Sequence, residues 1–178
     1  MQTFTGYHGT RLDLAHRILR EGFSPSTGEA DWLGHGIYFF EDIPSIANGL
    51  QEAKGWAIKV RKYTRWAVIK AEIECKTVLD LVSDQNSKRH FEVVRQKMLA
   101  QHRKYTRDKE FHESVIFSAI DRATSFDCVR SLVDGGRMEY TGYVVRRPQI
   151  QLCLKDVACI RQIWIEESSD EKRNQNYE

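Results

Sequence analysis

Short apolar runs are spread along this chain from one end to the other, and their distribution limits the folds open to it. The runs Gly36–Phe40, Trp66–Cys75, Ile150–Leu154 and Ile160–Ile165 have the length and the β-branched and aromatic content that are typical of strands. Apolar residues repeat at helical spacing only near the start and in the middle of the chain. The sequence therefore predicts an α+β domain with strands from end to end.

Two helices are predicted in the first third of the chain. Thr10 is placed to cap a helix over 12–21, and Gly22 is placed to end it. Asp42 is placed to cap a second helix that reaches about Trp56. Each prediction rests on a residue type that satisfies free backbone groups at a helix end.

The remaining elements are predicted from shorter patterns. They are strands over 4–8, 78–81 and 126–133, helices over 88–104 and 111–124, and a turn at Gly135-Gly136. From Glu166 onward the chain is almost wholly polar, which is typical of a disordered tail. We therefore expect one domain over 1–166 and a disordered tail over 167–178.

The composition fits one ordinary globular domain. Of 178 residues, 41% are apolar and 29% are charged, which excludes wholesale disorder, collagen and coiled coil. No apolar run approaches the roughly 20 residues that a membrane-spanning helix needs, and the first residues lack the pattern of a signal peptide. We expect a cytoplasmic protein without a membrane partner.

The four cysteines lie in or beside strand-like segments. Cys75, Cys128, Cys153 and Cys159 are therefore expected to be free thiols packed in a core rather than disulfides. None has Cys-x-x-Cys spacing, and the six histidines do not fall at intervals typical of metal ligands. We expect no metal site.

Charge is segregated along the chain. The formal net charge is +2, but residues 54–109 hold 15 Lys and Arg against 6 Asp and Glu, while the rest holds 12 against 19. Aromatic residues are interleaved with these cations, a pattern that favours binding of DNA or RNA. The alternative is a solvated helix face with lysine stems lying along it.

Two glycine-containing motifs flank the first predicted helix. The first is His8-Gly9-Thr10, where a histidine can present a hydrogen-bonding nitrogen while the bare backbone approaches a ligand. The second is Gly34-His35-Gly36-Ile37-Tyr38-Phe39, which leads into a strand and has no third glycine, so it is not a Rossmann fingerprint. Taken singly, His8 and Tyr38 are better explained as structural residues of the core than as ligand contacts.

Together the motifs resemble the ADP-ribosyltransferase superfamily, in the branch of diphtheria toxin and the poly(ADP-ribose) polymerases. His8-Gly9-Thr10 is similar to the His-Gly-Ser/Thr of that family, and the segment 34–39 is similar to its Gly-x-Gly-Ile/Leu-Tyr-Phe. The Ala-Asn pair that the polymerases often carry falls on Ala47-Asn48, and the third motif, Glu-x-Ile-Val-x-Asp, falls on 151–156. The resemblance implies the split mixed and antiparallel sheets with flanking helices of that fold.

The resemblance also implies roles in binding and cleaving NAD. His8 would bond the adenosine ribose, Gly9 would hold the nicotinamide amide through its backbone, and Tyr38 would stack on the nicotinamide ring. The other implied contacts of NAD are Thr10, Arg11 at the pyrophosphate, Gly36 and Ser45.

Residues from about 136 to 150 are expected to form a loop that meets the acceptor of the ADP-ribosyl group. Gln149 and Glu139 are the candidates on that side, while Asp156 is expected to cap a turn between strands.

Two positions depart from the family pattern. Gln151 stands where the family has its glutamate, so the oxocarbenium-like transition state loses a charge-assisted hydrogen bond worth about 1.5–3 kcal/mol. This predicts a slowed enzyme that transfers single ADP-ribosyl groups rather than polymers. Gly49 stands where many relatives have a second tyrosine, and either Trp32 or Trp56 is available to supply that ring.

The sequence thus predicts an NAD-dependent mono-ADP-ribosyltransferase with His8, Tyr38 and Gln151 as catalytic residues. The expected acceptor is a macromolecule, with nucleic acid favoured over protein, and a bacterial or phage toxin or defence effector is expected, with an antitoxin as a partner. The alternatives are an inactive module that binds NAD or ADP-ribose, and an NAD glycohydrolase.

Overall fold

The fold is built on one mixed β-sheet with helices packed against it. A computed structural model describes residues 1–28, 31–44, 46–105, 114–140 and 143–170. The strands are β1 (Gln2–Arg11), β2 (Ile37–Glu41), β3 (Trp66–Cys75), β4 (Val78–Asp80), β5 (Cys128–Tyr140), β6 (Tyr143–Leu154) and β7 (Ile160–Ser168). The helices are α1 (Leu12–Glu21), α2 (Gly49–Gly55), α3 (Gln85–Tyr105) and α4 (Ser114–Ala123), with a π-helical turn at Trp56–Val60 and a 3₁₀ turn at Val157–Cys159.

The seven strands lie in the order β4-β5-β6-β2-β1-β3-β7. Neighbours are antiparallel except for β4 and β5, which are parallel. The α+β prediction is confirmed. Split sheets were the finer expectation, and the described strands instead form one continuous hydrogen-bonded sheet.

Among the described strands, β1 and β2 share the shortest stretch of backbone pairing. Only Gly6 with Glu41 and Tyr7 with Phe40 are paired there, whereas β1 pairs with β3 along its whole length. Continued register would pair His8 with Phe39, but the ladder between the described parts of β1 and β2 stops one residue earlier. The two strands therefore separate from His8 onward.

Apolar residues of the helices cover both ends of the sheet. Helix α1 buries Leu12, Ala15 and Ile18 against β3, and α2 buries Ala53 beside Tyr7. Helix α4 contributes Ile116, Phe117 and Ile120 to a separate cluster with Leu33 and Val129. All four cysteines are free and buried, as predicted.

Two predicted helix starts are wrong. Thr10 lies within β1, opposite Ala67, and α1 begins two residues later without a side-chain cap. The second helix begins at Gly49, where Asn48 is the capping residue and accepts from the backbone of Gln51. Asp42 still serves that helix, because its Oδ1 accepts from the Gly49 amide at 3.1 Å. Long-range strand pairing at Thr10 outweighs its local capping preference.

The predicted loop over 136–150 and the turn at Gly135-Gly136 are also wrong. Residues Cys128–Tyr140 and Tyr143–Leu154 form a long antiparallel hairpin, and the glycine pair coincides with a register shift between Asp134 and Arg137. A β-bulge rather than a turn explains the glycines there.

The predicted start of the tail is too early, because β7 continues to Ser168. The rest of that tail, 171–178, lies outside the described residues.

A buried ionic cluster joins three strands of the sheet. Arg130 of β5 donates from Nε to Glu41 of β2 at 2.6 Å and from an Nη to Asp80 of β4 at 3.1 Å. All three residues are buried. Burial raises the pKa of Glu41. At Asp80 burial also raises the pKa, but hydrogen bonds from Ser83 and Val82 and the charge of Arg130 together outweigh it and lower the pKa. The cluster links β4 to the centre of the sheet.

Two findings concern membranes and metals. None of the helices in the described part of the chain is both long and apolar enough to cross a membrane. Among the described residues, no group of three or more His, Cys, Asp or Glu side chains is arranged to hold a metal ion.

Candidate functional site

A cavity of about 650 Å³ opens where β1 and β2 separate. This volume lies within the range of about 300–1,000 Å³ that is typical of small-molecule sites. Its lining joins residues from six parts of the chain: His8, Gly9, Leu14, Arg17, Ile18, Glu21, Gly22, Phe23, Ser24, Ser26, Asp31, Trp32, Gly36, Ile37, Tyr38, Phe39, Phe40, Trp56, Arg61, Val133, Gln149 and Gln151. Six of the predicted site residues are in this set, namely His8, Gly9, Gly36, Tyr38, Gln149 and Gln151.

His8 is held at the point where the strands part. Its Nδ1 lies 2.8 Å from the main-chain oxygen of Tyr38. Because a carbonyl oxygen only accepts, Nδ1 carries the proton and Nε2 is the nitrogen with an available lone pair. Burial lowers the pKa of His8, although the hydrogen bond to Tyr38 opposes this, so the ring is neutral at pH 7. The edges of Phe23 and Phe39 pack on it.

The ring of Tyr38 is fixed by the loop that precedes β2. Its hydroxyl accepts from the Leu33 amide at 3.0 Å and donates to the Gly34 carbonyl at 2.7 Å. Burial raises the pKa of Tyr38, so the hydroxyl keeps the proton that this donation needs. Gly34 has a φ of +77°, which a side chain would strain.

Lys155 ties the same loop to the end of β6. Its Nζ donates to the main-chain oxygens of Leu33 at 2.8 Å and His35 at 2.6 Å. The side chain of His35 is exposed and is outside the lining of this cavity. The tyrosine ring and the loop therefore form one rigid wall, which is a condition for precise ligand placement.

The glycines at Gly9 and Gly36 are required by neighbouring backbone. A Cβ on Gly9 would lie 1.9 Å from the carbonyl oxygen of Ala53 in α2, and one on Gly36 would lie 2.5 Å from that of Leu154 in β6. Both distances are far below any van der Waals contact. Close packing against this backbone explains why both positions are glycine. Gly9 and Gly36 also line the cavity.

Gln151 and Trp32 form a pair across the cavity wall. The indole Nε1 of Trp32 donates to Oε1 of Gln151 at 3.1 Å. Since an indole only donates, this contact fixes the orientation of the amide and leaves its NH₂ group as the side available to a ligand. Gln151 is thus a neutral donor at the third-motif position.

Gln149 lies two residues earlier on the same face of β6. Its Nε2 donates to a carboxylate oxygen of Glu52, which is buried in α2. Glu52 is outside the cavity lining, so it acts on the cavity through Gln149. This buried carboxylate had no signal in the sequence, because it stands on the predicted helix without any motif.

Gly49, the position at which many members of the resembled family have a second tyrosine, leaves no room for a larger side chain. A Cβ on Gly49 would lie 2.7 Å from the Phe40 oxygen and 2.8 Å from the ring of Tyr7, so a larger side chain has no room. Trp32 and Trp56 both line the cavity instead. Trp32 is half-buried and bonded to Gln151, whereas Trp56 is 42% exposed.

Two predicted contacts lie away from the cavity. Thr10 is buried in β1 and Arg11 pairs with Asp13 on the surface, at 2.9 Å, and neither residue is in the lining. The cations that do line the cavity are Arg17 of α1 and Arg61 at the end of the π-helical turn. Only the three-dimensional structure reveals that these arginines line the cavity, since neither stands in a sequence motif.

Arg61 is oriented by an aromatic neighbour. Its Nε donates to the Tyr63 hydroxyl at 3.1 Å and its guanidinium carbon lies 5.8 Å from the centre of that ring. Arg17 lies 3.9 Å from Glu21 in the next helical turn, and both are exposed. The two arginines could hold an anionic group such as a diphosphate.

Two predicted site positions cannot be placed against the cavity. Ser45 lies outside the described residues, and of Glu139 only the backbone, in β5, is described. Asp156 caps the turn before β7, as expected, since its Oδ1 accepts from the Ala158 amide at 2.8 Å.

The cavity combines aromatic walls, neutral hydrogen-bonding groups, two arginines and two carboxylates, those of Glu21 and Asp31. Such a lining suits an elongated ligand that carries a flat ring, hydroxyl groups and phosphates. A scan against protein-family models finds no match for this chain, and searches of curated proteins and of solved structures find none either.

Proposed function

We propose that this protein is an NAD-dependent mono-ADP-ribosyltransferase. The observation that carries the proposal is that His8 and Tyr38, from two motifs 30 residues apart, line one cavity and are joined by a hydrogen bond. Gly9, Gly36 and Gln151 line the same cavity. Their convergence supports the resemblance on which the sequence prediction rests.

Each group has a part in binding NAD. Nε2 of His8 accepts from a hydroxyl of the adenosine ribose, and the backbone of Gly9 holds the nicotinamide amide. The fixed ring of Tyr38 stacks on nicotinamide, while Arg17 and Arg61 replace Arg11 as the cations for the diphosphate. Trp32 is placed beside Gln151, at the nicotinamide-ribose end of the ligand.

The reaction breaks the bond between the nicotinamide nitrogen and C1′ of the ribose. The bonding electron pair leaves with nicotinamide, which becomes neutral, and positive charge spreads over C1′ and the ring oxygen. A nucleophile of the acceptor then bonds C1′ and releases its proton to solvent. Gln151 orients the ribose but offers no negative charge to this transition state, so the rate is below that of a glutamate enzyme.

Nicotinamide release tests the proposal. The protein is incubated with NAD and, separately, with protein, DNA and RNA fractions; free nicotinamide is measured by chromatography and the mass of one ADP-ribosyl group is sought on each fraction. We expect release that is lost in His8→Ala and Tyr38→Ala, both checked for folding by circular dichroism. His35→Ala is the matched control, because this exposed histidine stands in the second motif but outside the cavity.

Two outcomes point elsewhere. Release that is unchanged in His8→Ala and Tyr38→Ala would refute the proposed site, and free ADP-ribose without a modified macromolecule would identify a glycohydrolase. The neutral Gln151 also favours a second candidate, a module that binds NAD or ADP-ribose without chemistry. Ligand binding with no nicotinamide release from wild-type protein would select that candidate.

A further inference from the structure

We propose that the acceptor is a single-stranded nucleic acid and that it binds the segment Trp56–Tyr63, here named the basic turn, at the mouth of the cavity. The inference rests on the proposed transferase function and names its acceptor. Four observations carry it: unpaired cations, exposed apolar side chains, an unusual backbone and continuity with the cavity.

The cations of the basic turn differ from neighbouring cations in whether they pair with acidic side chains. Residues 53–71 contain six Lys and Arg and no Asp or Glu. Three of the six pair with acidic residues at the end of the chain that the structure describes: Lys54 with Glu167, Lys70 with Glu166 and Arg65 with Asp170.

The other three cations are Lys59, Arg61 and Lys62, all within the basic turn and all exposed. Among the described residues, none of these three forms an ion pair with an acidic side chain, since Arg61 bonds the Tyr63 hydroxyl instead. Three unneutralised cations within four residues attract a polyanion.

The basic turn has an irregular backbone and exposed apolar side chains. Trp56–Val60 is π-helical, and Lys62 has a φ of +55°, the only positive value for a non-glycine residue in the described chain. Helical π-turns and left-handed residues of this kind concentrate at functional sites. In the same segment, Trp56, Ile58 and Val60 are 42%, 38% and 57% exposed.

Trp56 connects this surface with the interior of the cavity. One side of its ring tilts against Phe40, with ring centres 6.5 Å apart at 55°, and both residues line the cavity. Gln149 and Gln151 line the same cavity. A base stacked on Trp56 would therefore lie at the entrance to the place where the ribosyl group is released.

These features fit single-stranded nucleic acid better than a nucleic-acid duplex or an acidic protein. Aromatic rings with cations beside them bind successive bases and phosphates, because every base presents a flat face. A base within a duplex cannot enter a cavity without leaving its stack. An acidic protein would use the cations, but it presents fewer flat rings than a nucleic acid does for stacking on the exposed indole.

Binding of an oligonucleotide tests the inference without NAD. Fluorescence anisotropy is measured with a labelled, mixed-sequence DNA strand of about 16 nucleotides. Without NAD, Arg61 has no diphosphate to bind, so it joins Lys59 and Lys62 as a third phosphate contact, and we expect affinity to fall about 20-fold between about 50 and about 200 mM salt. In Lys59→Gln/Lys62→Gln the fall shrinks to about threefold, and Trp56→Ala weakens binding about tenfold at any salt.

The matched control removes two charges elsewhere in the basic third of the chain. Arg89→Gln/Lys97→Gln alters exposed residues of α3, which packs on β4 at the opposite edge of the sheet. Its salt dependence should equal that of the wild type. If it weakens binding as much as Lys59→Gln/Lys62→Gln does, attraction is diffuse and the basic turn is not the site.

Competitors and NAD binding separate the remaining outcomes. Displacement of the strand by polyglutamate or by duplex DNA as readily as by unlabelled strand would overturn the inference. So would transfer of ADP-ribose from NAD to a protein by a preparation that binds no oligonucleotide, in which case the proposed transferase function survives. Failure to bind or cleave NAD, measured in the same preparations, refutes the proposed function whatever the strand does.

Discussion

The imidazole of His8 and the main-chain oxygen of Tyr38 meet at 2.8 Å, in the gap where β1 and β2 stop pairing. One hydrogen bond thus replaces the backbone ladder and sets the tautomer of the histidine. Because Nδ1 is the donor, Nε2 is left as an acceptor. The feature that opens the cavity therefore also prepares the side chain that we expect to bind the adenosine ribose.

Replacing His8 in two ways should separate these two functions. In His8→Asn the amide NH₂ takes the place of Nδ1 and keeps the bond to Tyr38, but Nε2 is lost. We expect KM for NAD to rise about five- to tenfold, as loss of one hydrogen bond implies, with little change in melting temperature. His8→Ala should lower both affinity and stability. Equal NAD kinetics in His8→Asn and wild type would contradict the assignment of Nε2.

The lowered pKa of His8 makes stability depend on pH. Burial, opposed by the bond to Tyr38, holds its pKa in the folded protein below the ordinary 6.5. Below that value the unfolded chain binds the proton more readily, so the free energy of unfolding falls as pH drops toward the folded pKa. Above pH 6.5 both states are neutral and the effect vanishes.

Urea unfolding from about pH 8 to about pH 5, followed by tryptophan fluorescence, measures this effect. His8→Asn lacks the titrating group, so the difference in unfolding free energy between wild type and variant should be constant above pH 6.5 and fall below it. A difference that is flat over the whole range would show that His8 has its ordinary pKa.

Restoring the carboxylate at Gln151 should accelerate cleavage of NAD. In Gln151→Glu, Trp32 can still donate to the side chain, and under the proposed function the new charge would face the oxocarbenium-like transition state. A charge-assisted bond of about 1.5–3 kcal/mol corresponds to a rise in kcat of about tenfold or more. Nicotinamide release under saturating NAD measures it.

Gln149→Glu is the matched control for that change. It adds the same charge two residues away, but beside the buried Glu52 that now accepts from Gln149. We expect no gain in rate and a lower melting temperature, because like charges would meet in a buried place. A similar gain in both variants would mean that net charge, not position, governs the rate.

The hydroxyl and the ring of Tyr38 should contribute to different quantities. Tyr38→Phe keeps the ring for stacking but leaves the buried Leu33 amide and Gly34 carbonyl without their partner, at a cost of about 1–3 kcal/mol. Tyr38→Ala removes the stacking surface as well. We expect the first variant to lose stability with kcat nearly kept, and the second to lose kcat; a Phe variant as inactive as Ala would assign chemistry to the hydroxyl.

The elements that the sequence predicts correctly are those whose apolar pattern is continuous along the chain. Strand β3 is predicted residue for residue, because Trp66–Cys75 is a continuous apolar and β-branched run that is buried for most of its length. The residue types around His8 and Tyr38 are enough to identify both motifs in the sequence. Their convergence on one cavity needed the fold.

The errors have a common physical cause, which is competition between local preference and distant pairing. Thr10 is a good cap, but its backbone pairs with Ala67. The glycine pair at 135–136 suits a turn, but the hairpin from β5 to β6 continues through it with a bulge. Arg17 and Arg61 cannot be predicted as site residues from the sequence, because an exposed arginine has no local pattern that distinguishes it.

The buried Arg130 should be among the most sensitive positions for stability. Its guanidinium contacts Glu41 at 2.6 Å and Asp80 at 3.1 Å, with all three side chains at most 10% exposed. Arg130→Met keeps the bulk but leaves two buried carboxylates near each other without their cation. Removing one partner of a buried ion pair costs about 3–5 kcal/mol, measured by urea unfolding. Arg161→Met is the control, because its pairing with Glu74 is exposed and worth about 0–1 kcal/mol; equal losses in the two variants would show that the cluster does not hold β4 to the sheet.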